Sequence, residues 1–299
     1  MRVARIGGHS KMRAPGCARS AGGDLLSMAY RSTLIIALAL ASAPLAGQAQ
    51  EAPQGPASDF AAAYARAFAG VDACVTLRDV APGAEPRTSD AQVCADRLPP
   101  CATFDVPVTV IALDRGLAPD ANTPIRREGM PPEQGVTLKD AFRTPVPWVY
   151  EEIARRIGPD AFGRSLSALR YGAPDVATPI ERMALGESPG GPRISPVEQV
   201  DFLARLKRGE LPTSAESQAR TVEVIPYDSI PDGLVAWKTG ACGPADGAKT
   251  AWAVGWVDRG RRTTVFAAVE KGGDDVTGLD AKRRMRALLE DLALTPKTE

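Results

Sequence analysis

Histidine is all but missing from this chain. Of 299 residues only His9 carries an imidazole, and it falls in a basic leader. A mature chain without histidine cannot run a Ser-His-Asp or Cys-His mechanism, nor build a His-ligated zinc site. Cysteine is scarce as well. Cys17 lies in the leader, which leaves Cys74, Cys94, Cys101 and Cys242, separated by 19, 6 and 140 residues. That spacing fits no CxxC metal pattern, so no metal or other cofactor is expected and disulfides are the favoured reading. A basic excess is also lacking. Formal net charge is zero, and residues 1–49 hold six of the basic residues but only one acidic one. The remaining body has 30 basic against 35 acidic residues, about −5, so it offers no footprint for nucleic acid. Internal repeats and low-complexity tracts are absent too.

What the first 49 residues do contain is an export signal. Arg31 precedes an apolar run over residues 34–41, followed by small residues up to Ala46-Gly47-Gln48-Ala49. A basic start, a short apolar core and a small-x-small exit read as a secretory signal peptide, and imply a periplasmic mature protein beginning near Gln50. The alternative, a membrane anchor, requires a longer apolar run, and no other segment supplies one. Met28 is the natural start of such a leader, with residues 1–27 an upstream extension. Residues 50–57 then form a polar, proline-containing linker before a domain covering 58–299.

Within that domain Phe60, Tyr64 and Phe68 mark one stripe of a first helix beginning at Ser58 or Asp59. Cys74-Val75-Thr76-Leu77-Arg78 and a weaker run ending near Val93-Cys94 flank a turn at Pro82-Gly83, which predicts a hairpin. Cys74 and Cys94 sit almost symmetrically about that turn, so a Cys74–Cys94 disulfide is expected, with Cys101 and Cys242 left to each other or free. The stretch from Val106 to Leu113 predicts a buried helix ending at Gly116, with strand the alternative given its β-branched content. From about 117 to 213 the pattern is helical, including a capping box at Ser195-Pro196-Val197-Glu198. Strands return at Leu234-Val235-Ala236-Trp237, at Ala251 to Val257 and at Thr263 to Val269. An amphipathic helix from Asp280 to Leu294 closes the chain. The order implies an α+β fold: an antiparallel sheet flanked by N- and C-terminal helices, with a helical subdomain inserted.

The chemistry concentrates in two motifs. Pro100-Cys101-Ala102-Thr103-Phe104-Asp105-Val106-Pro107 resembles the P-x-S-T-F-K-I-P signature of class D, oxacillinase-type β-lactamases, within the penicillin-binding transpeptidase-like group. Lys238-Thr239-Gly240 matches the K-T-G strand of the same family. Between them Thr144-Pro145-Val146 sits where the family places S-x-V, and Tyr171-Gly172-Ala173 matches Y-G-N without its asparagine. Val149 to Gly158, Ile194 to Leu203 and Trp252 to Val257 are further collinear landmarks. The resemblance implies the serine β-lactamase fold over about residues 58–290.

It also implies what is missing. The family's nucleophilic serine is Ala102 here and its carboxylated lysine is Asp105. The tryptophan that shelters that lysine belongs near Met183, and none is there. Retained by the resemblance are the backbone donors of Ala102 and Ala241 as an oxyanion hole, the Thr144 hydroxyl, Val146, and Lys238, Thr239 and Gly240 for a ligand carboxylate. Lys282 falls near the family's carboxylate-binding arginine. Cys101 and Cys242 each neighbour an oxyanion residue, which favours their pairing. Asp105 either mimics the charge of the carboxylated lysine or is a solvated or Lys238-paired acid, the two being equally weighted. Cys101 as a substitute nucleophile is disfavoured, since one residue along a helix turns the side chain by about 100°. The resulting expectation is a pseudoenzyme that binds a β-lactam or a peptidoglycan stem peptide, with a scaffold protein as the alternative. A hydrolase using a non-standard nucleophile comes third.

Overall fold

The computed structural model describes residues 56–297 except 145, 174–179, 184–185, 187–190, 245–246 and 274. The leader, its Met28 start and residues 50–55 of the linker therefore lie outside the described residues.

Six strands form one antiparallel sheet in the order β2-β1-β8-β7-β6-β5. These are β1 (Asp72–Asp79), β2 (Arg87–Thr88), β5 (Tyr227–Ile230), β6 (Gly233–Cys242), β7 (Lys249–Arg259) and β8 (Arg262–Gly272). β7 is central and buried along most of its length, because both faces of the sheet are covered. On one face Val75, Leu77, Val235, Trp237, Ala253 and Phe266 pack under α1 (Pro56–Ala67) and α9 (Gly278–Asp291). On the other, Ala236, Trp252, Val254, Trp256 and Val269 meet the helical block. This division follows from the two-residue alternation of strand side chains. It sends Trp237 and Lys238 to opposite sides of the sheet.

The helical block opens with α2 (Asp105–Asp114), preceded by a 3-10 turn over Cys101–Phe104. Every residue from Asp105 to Leu113 is buried, which explains why Val106, Val108, Val110 and Ile111 show no amphipathic stripe: the helix is surrounded. A two-stranded ribbon, β3 (Pro124–Ile125) with β4 (Val136–Thr137), leads to α3 (Leu138–Arg143), α4 (Pro147–Ile157), α5 (Pro159–Leu169), α6 (Ile180–Met183), α7 (Pro196–Arg208) and α8 (Ala215–Val224). The block thus runs past 213 to Val224, because Ser214 caps one more helix by accepting the Ser217 N–H. The Ser195 capping box is complete: its hydroxyl accepts from Glu198 N, and Glu198 Oε2 accepts from Ser195 N at 2.9 Å. Such a cap contributes about 1 kcal/mol.

The hairpin differs from expectation in its second arm. β1 pairs with β2 only at Thr76–Thr88 and Leu77–Arg87, while Cys94 sits in a 3-10 turn, Val93–Ala95. The Asp90 carboxylate accepts the N–H groups of Gln92 and Val93 at 2.8 and 2.9 Å, which favours a turn over a ladder. The turn still delivers Cys94 to Cys74, and the two are bonded, with Cα atoms 5.4 Å apart.

Candidate functional site

The site forms where the turn before α2 lies against β6, the sixth motif strand of the chain. Gly240 makes this contact possible. A Cβ built on Gly240 would stand 2.6 Å from Ala102 N and 3.1 Å from Ala102 Cβ, so only glycine lets strand and turn approach. Two further ties hold the turn. Trp252 Nε1 donates to Pro99 O at 2.8 Å, and Cys101 is bonded to Cys242, with Cα atoms 5.5 Å apart. Cys101 has φ +51°, a left-handed conformation that costs a non-glycine residue of order 1 kcal/mol, and that these ties sustain.

Ala102 is half-buried and Ala241 exposed, flanking the disulfide. Trp237 donates its N–H outward to Pro226 O, away from β7. By alternation the Ala241 N–H also points off the sheet edge, beyond the end of β5. The Ala102 N–H lies in the first turn of its helix, where amides lack intrahelical acceptors. Neither donor needs a side chain.

Lys238 and Asp105 close the floor. Lys238 Nζ is 2.5 Å from Asp105 Oδ2, with side chains 8% and 11% exposed. The same ammonium donates to Phe142 O at 3.0 Å and lies 4.1 Å from the Phe142 ring centroid. Asp105 stands in the first turn of α2, where a carboxylate interacts favourably with the helix dipole. Tyr150 and Tyr171 are buried around it. Burial, and next the Asp105 charge, push the Tyr150 phenol well above its ordinary range, with Thr109 opposing. Burial likewise raises Tyr171, offset by Thr103 and Gln199, while Asp105 adds to the rise. Both phenols are neutral hydroxyls, and neither reaches a well-formed hydrogen bond.

Four expected contributors are placed differently. Lys282 leaves the pocket: its ammonium is 3.2 Å from Asp228 Oδ2 and 5.0 Å from the Trp237 ring, on the α9 face. The Asp228 carboxylate on β5, shared with Arg286, draws it there. Thr144 is exposed just past α3, and Lys238 takes the Phe142 carbonyl in place of its hydroxyl. Val146 is partly buried against the core at the start of α4 rather than facing the ammonium. Thr239, by alternation, faces Gly278 at the α9 N-terminus, with its Cβ 3.0 Å from a Cβ built there. Pro145 and the Met183 side chain lie outside the described residues. Phe142, Tyr150 and Tyr171 were not singled out as site side chains from the sequence, because each reads as ordinary core.

The penicillin binding protein transpeptidase domain is matched over residues 71–290, spanning both motifs and the sheet between them. This chain belongs to that family. Its curated relatives are class D enzymes. Beta-lactamase OXA-10 of Pseudomonas aeruginosa is 29% identical over 187 residues, 60% of this chain and 69% of that protein. Beta-lactamase OXA-48 of Klebsiella pneumoniae is 31% identical over 173 residues, 56% and 64% respectively. Among solved structures, BPu1 beta-lactamase superimposes with a TM-score of 0.68 at 25% identity, covering 78% of this chain and 97% of that one. The class D enzyme FUS-1 of Fusobacterium nucleatum subsp. polymorphum gives 0.69 at 20% identity, covering 79% and 97%, which supports the fold. The protein therefore has the class D β-lactamase-like, penicillin-binding fold, with a paired acid and base at its heart. Among the described residues no helix is long and apolar enough to cross a membrane, and no cluster could hold a metal ion.

Proposed function

We propose that this chain is a periplasmic pseudoenzyme that recognises a β-lactam or a peptidoglycan stem peptide without forming a covalent bond. One observation carries the reading: Ala102 presents a methyl group beside the two backbone donors, against Gly240. A carbonyl held there is polarised but meets no nucleophile. The base is gone as well, since Asp105 is shorter than a carboxylated lysine and is engaged by Lys238. Losing the nucleophile from a coupled catalytic unit costs on the order of a millionfold in rate. Recognition is left to the Ala102 and Ala241 N–H groups and Lys238, and is weak and reversible.

The buried pair also favours a second reading, in which the emptied pocket is partly filled and the fold serves as a scaffold. Intact-mass spectra after incubation with a fluorescent penicillin, together with nitrocefin turnover, test the main proposal. No adduct and no turnover are expected. A one-adduct shift would show that Thr144, or a Cys101 released from its bond to Cys242, is a live nucleophile. Equilibrium dialysis with the same penicillin separates the binding protein from the scaffold, and N-terminal sequencing of exported material beginning near Gln50 supports the location.

A further inference from the structure

An anion-binding site needs a cation whose charge is free to meet the ligand. In this pocket the cation is already met. Lys238 sits 2.5 Å from one Asp105 oxygen and spends a second donor on Phe142 O. Lys238 is 7% exposed and Asp105 8%, so water screens the pair poorly and the two charges cancel at close range. Among the described residues, the cation expected to assist it is engaged elsewhere. Lys282 is held by Asp228 and stacked on Trp237, across the sheet. The α9 N-terminus, packed on Thr239 and Gly240 through Gly278, carries the acidic Asp280 in its first turn. An ammonium has three donors, and Asp105 and Phe142 take two. One remains for a ligand, as a hydrogen-bond donor in a site without net charge.

We propose that Asp105 determines the charge selectivity of the site: by cancelling Lys238 it strips the pocket of its preference for carboxylates and turns it toward uncharged acyl or amide ligands. The inference rests on the binding reading above and sharpens it. A ligand carboxylate entering beside Lys238 meets the Asp105 carboxylate first, and like charges at such range are repulsive. A neutral carbonyl takes the remaining Lys238 donor and the Ala102 and Ala241 amides without that conflict.

Benzylpenicillin and its methyl ester differ by that one charge and are the probes. Titration calorimetry on the unaltered protein should show the acid binding no more than about threefold tighter than the ester. In Asp105→Asn the acid should gain about tenfold or more relative to the ester, because a free ammonium again faces the ligand. An unaltered protein that already prefers the acid tenfold overturns the proposal, as does an Asp105→Asn protein whose preference is unchanged. Asp105→Ser serves where Asn fails to fold, and the acid-to-ester comparison on the unaltered protein needs no variant. A readout without ligand keeps the two ideas apart. Released from its close counter-charge, Lys238 is freer to react, so acetylation by acetic anhydride, followed by peptide mass spectrometry, should quicken about tenfold in Asp105→Asn. If neither probe binds any form, the binding reading fails, and the acetylation rate alone decides whether Asp105 neutralises Lys238. An unchanged rate refutes it.

Discussion

Replacing Lys238 by Met removes the ammonium and leaves the Asp105 carboxylate buried beneath Ala102 with its strongest partner gone. Both side chains are about nine-tenths buried, so neither charge recovers its hydration in the folded protein. Breaking such a pair from one side costs about 3–5 kcal/mol, because the surviving ion loses its close counter-charge. Asp105→Leu should cost a similar amount, stranding the ammonium with only Phe142 O and the Phe142 ring. The double variant, Asp105→Leu with Lys238→Met, removes both charges and fills the space with apolar volume. It should fall within about 1–2 kcal/mol of the unaltered protein, since a buried pair and an apolar replacement are often nearly equivalent. Urea unfolding followed by tryptophan fluorescence reads the cycle, with Trp237 and Trp252 flanking the site. A domain of this size shifts by about 2–4 °C per kcal/mol, so either single variant should lose on the order of 10 °C. Single losses under about 1 kcal/mol that simply add would refute the argument. They would mean the pair is solvated and the pocket open.

Three other perturbations probe the frame around the site. Gly240→Ala places a methyl 2.6 Å from Ala102 N, so the turn and β6 must part; a loss of about 2–3 kcal/mol in urea unfolding is expected, as for overpacking. Replacing Cys101 and Cys242 together by Ser opens a loop of sequence separation 141, against 20 for Cys74 and Cys94. Chain entropy gives about 5 and about 3 kcal/mol respectively; equal losses for the two double variants in denaturant titrations would contradict that ordering. Glu152 is buried with Arg155 and Arg156 on its oxygens, and the Arg155 bond foremost holds its carboxyl below the usual 4.5. A depressed folded value means stability present above the unfolded value and lost as pH falls through the folded one. Glu152→Gln should therefore cost about 1–2 kcal/mol at neutral pH, the arginines being partly exposed, and the gap should close in unfolding curves as pH falls below the usual carboxylate range.

The sheet and its flanking helices were legible because alternation, turn residues and capping signals agreed along the chain. The Ser195-Pro196-Val197-Glu198 box is formed as written, and Lys238-Thr239-Gly240 lies on a strand because glycine is needed where Ala102 presses against it. The two substituted motif positions, Ala102 and Asp105, came from the resemblance of Pro100 to Pro107 to the family's signature. The directions of long side chains could not. Lys282 is one helical position in a motif alignment, yet its reach is settled by Asp228 and Trp237, which no spacing reveals. The carbonyl of Phe142 was invisible for a different reason: a backbone acceptor carries no sequence signature, so the threonine two residues on drew the assignment. Asp105 left two readings open, and only the 2.5 Å distance to Lys238 favours the paired one.

The Cys101–Cys242 bond also changes what a cut in the polypeptide can do. All seven helices from α2 to α8 lie between its two ends, so this whole block is a closed covalent ring. A protease that nicks any loop within it produces two pieces that remain joined beside Ala102 and Ala241. The Cys74–Cys94 ring closes before the larger one opens, so the two are neither nested nor interlaced. A nicked chain should thus run intact on a gel without reductant and separate with it. While that bond stays oxidised, damage to the helical block need not dismantle the strand and turn that meet at Gly240.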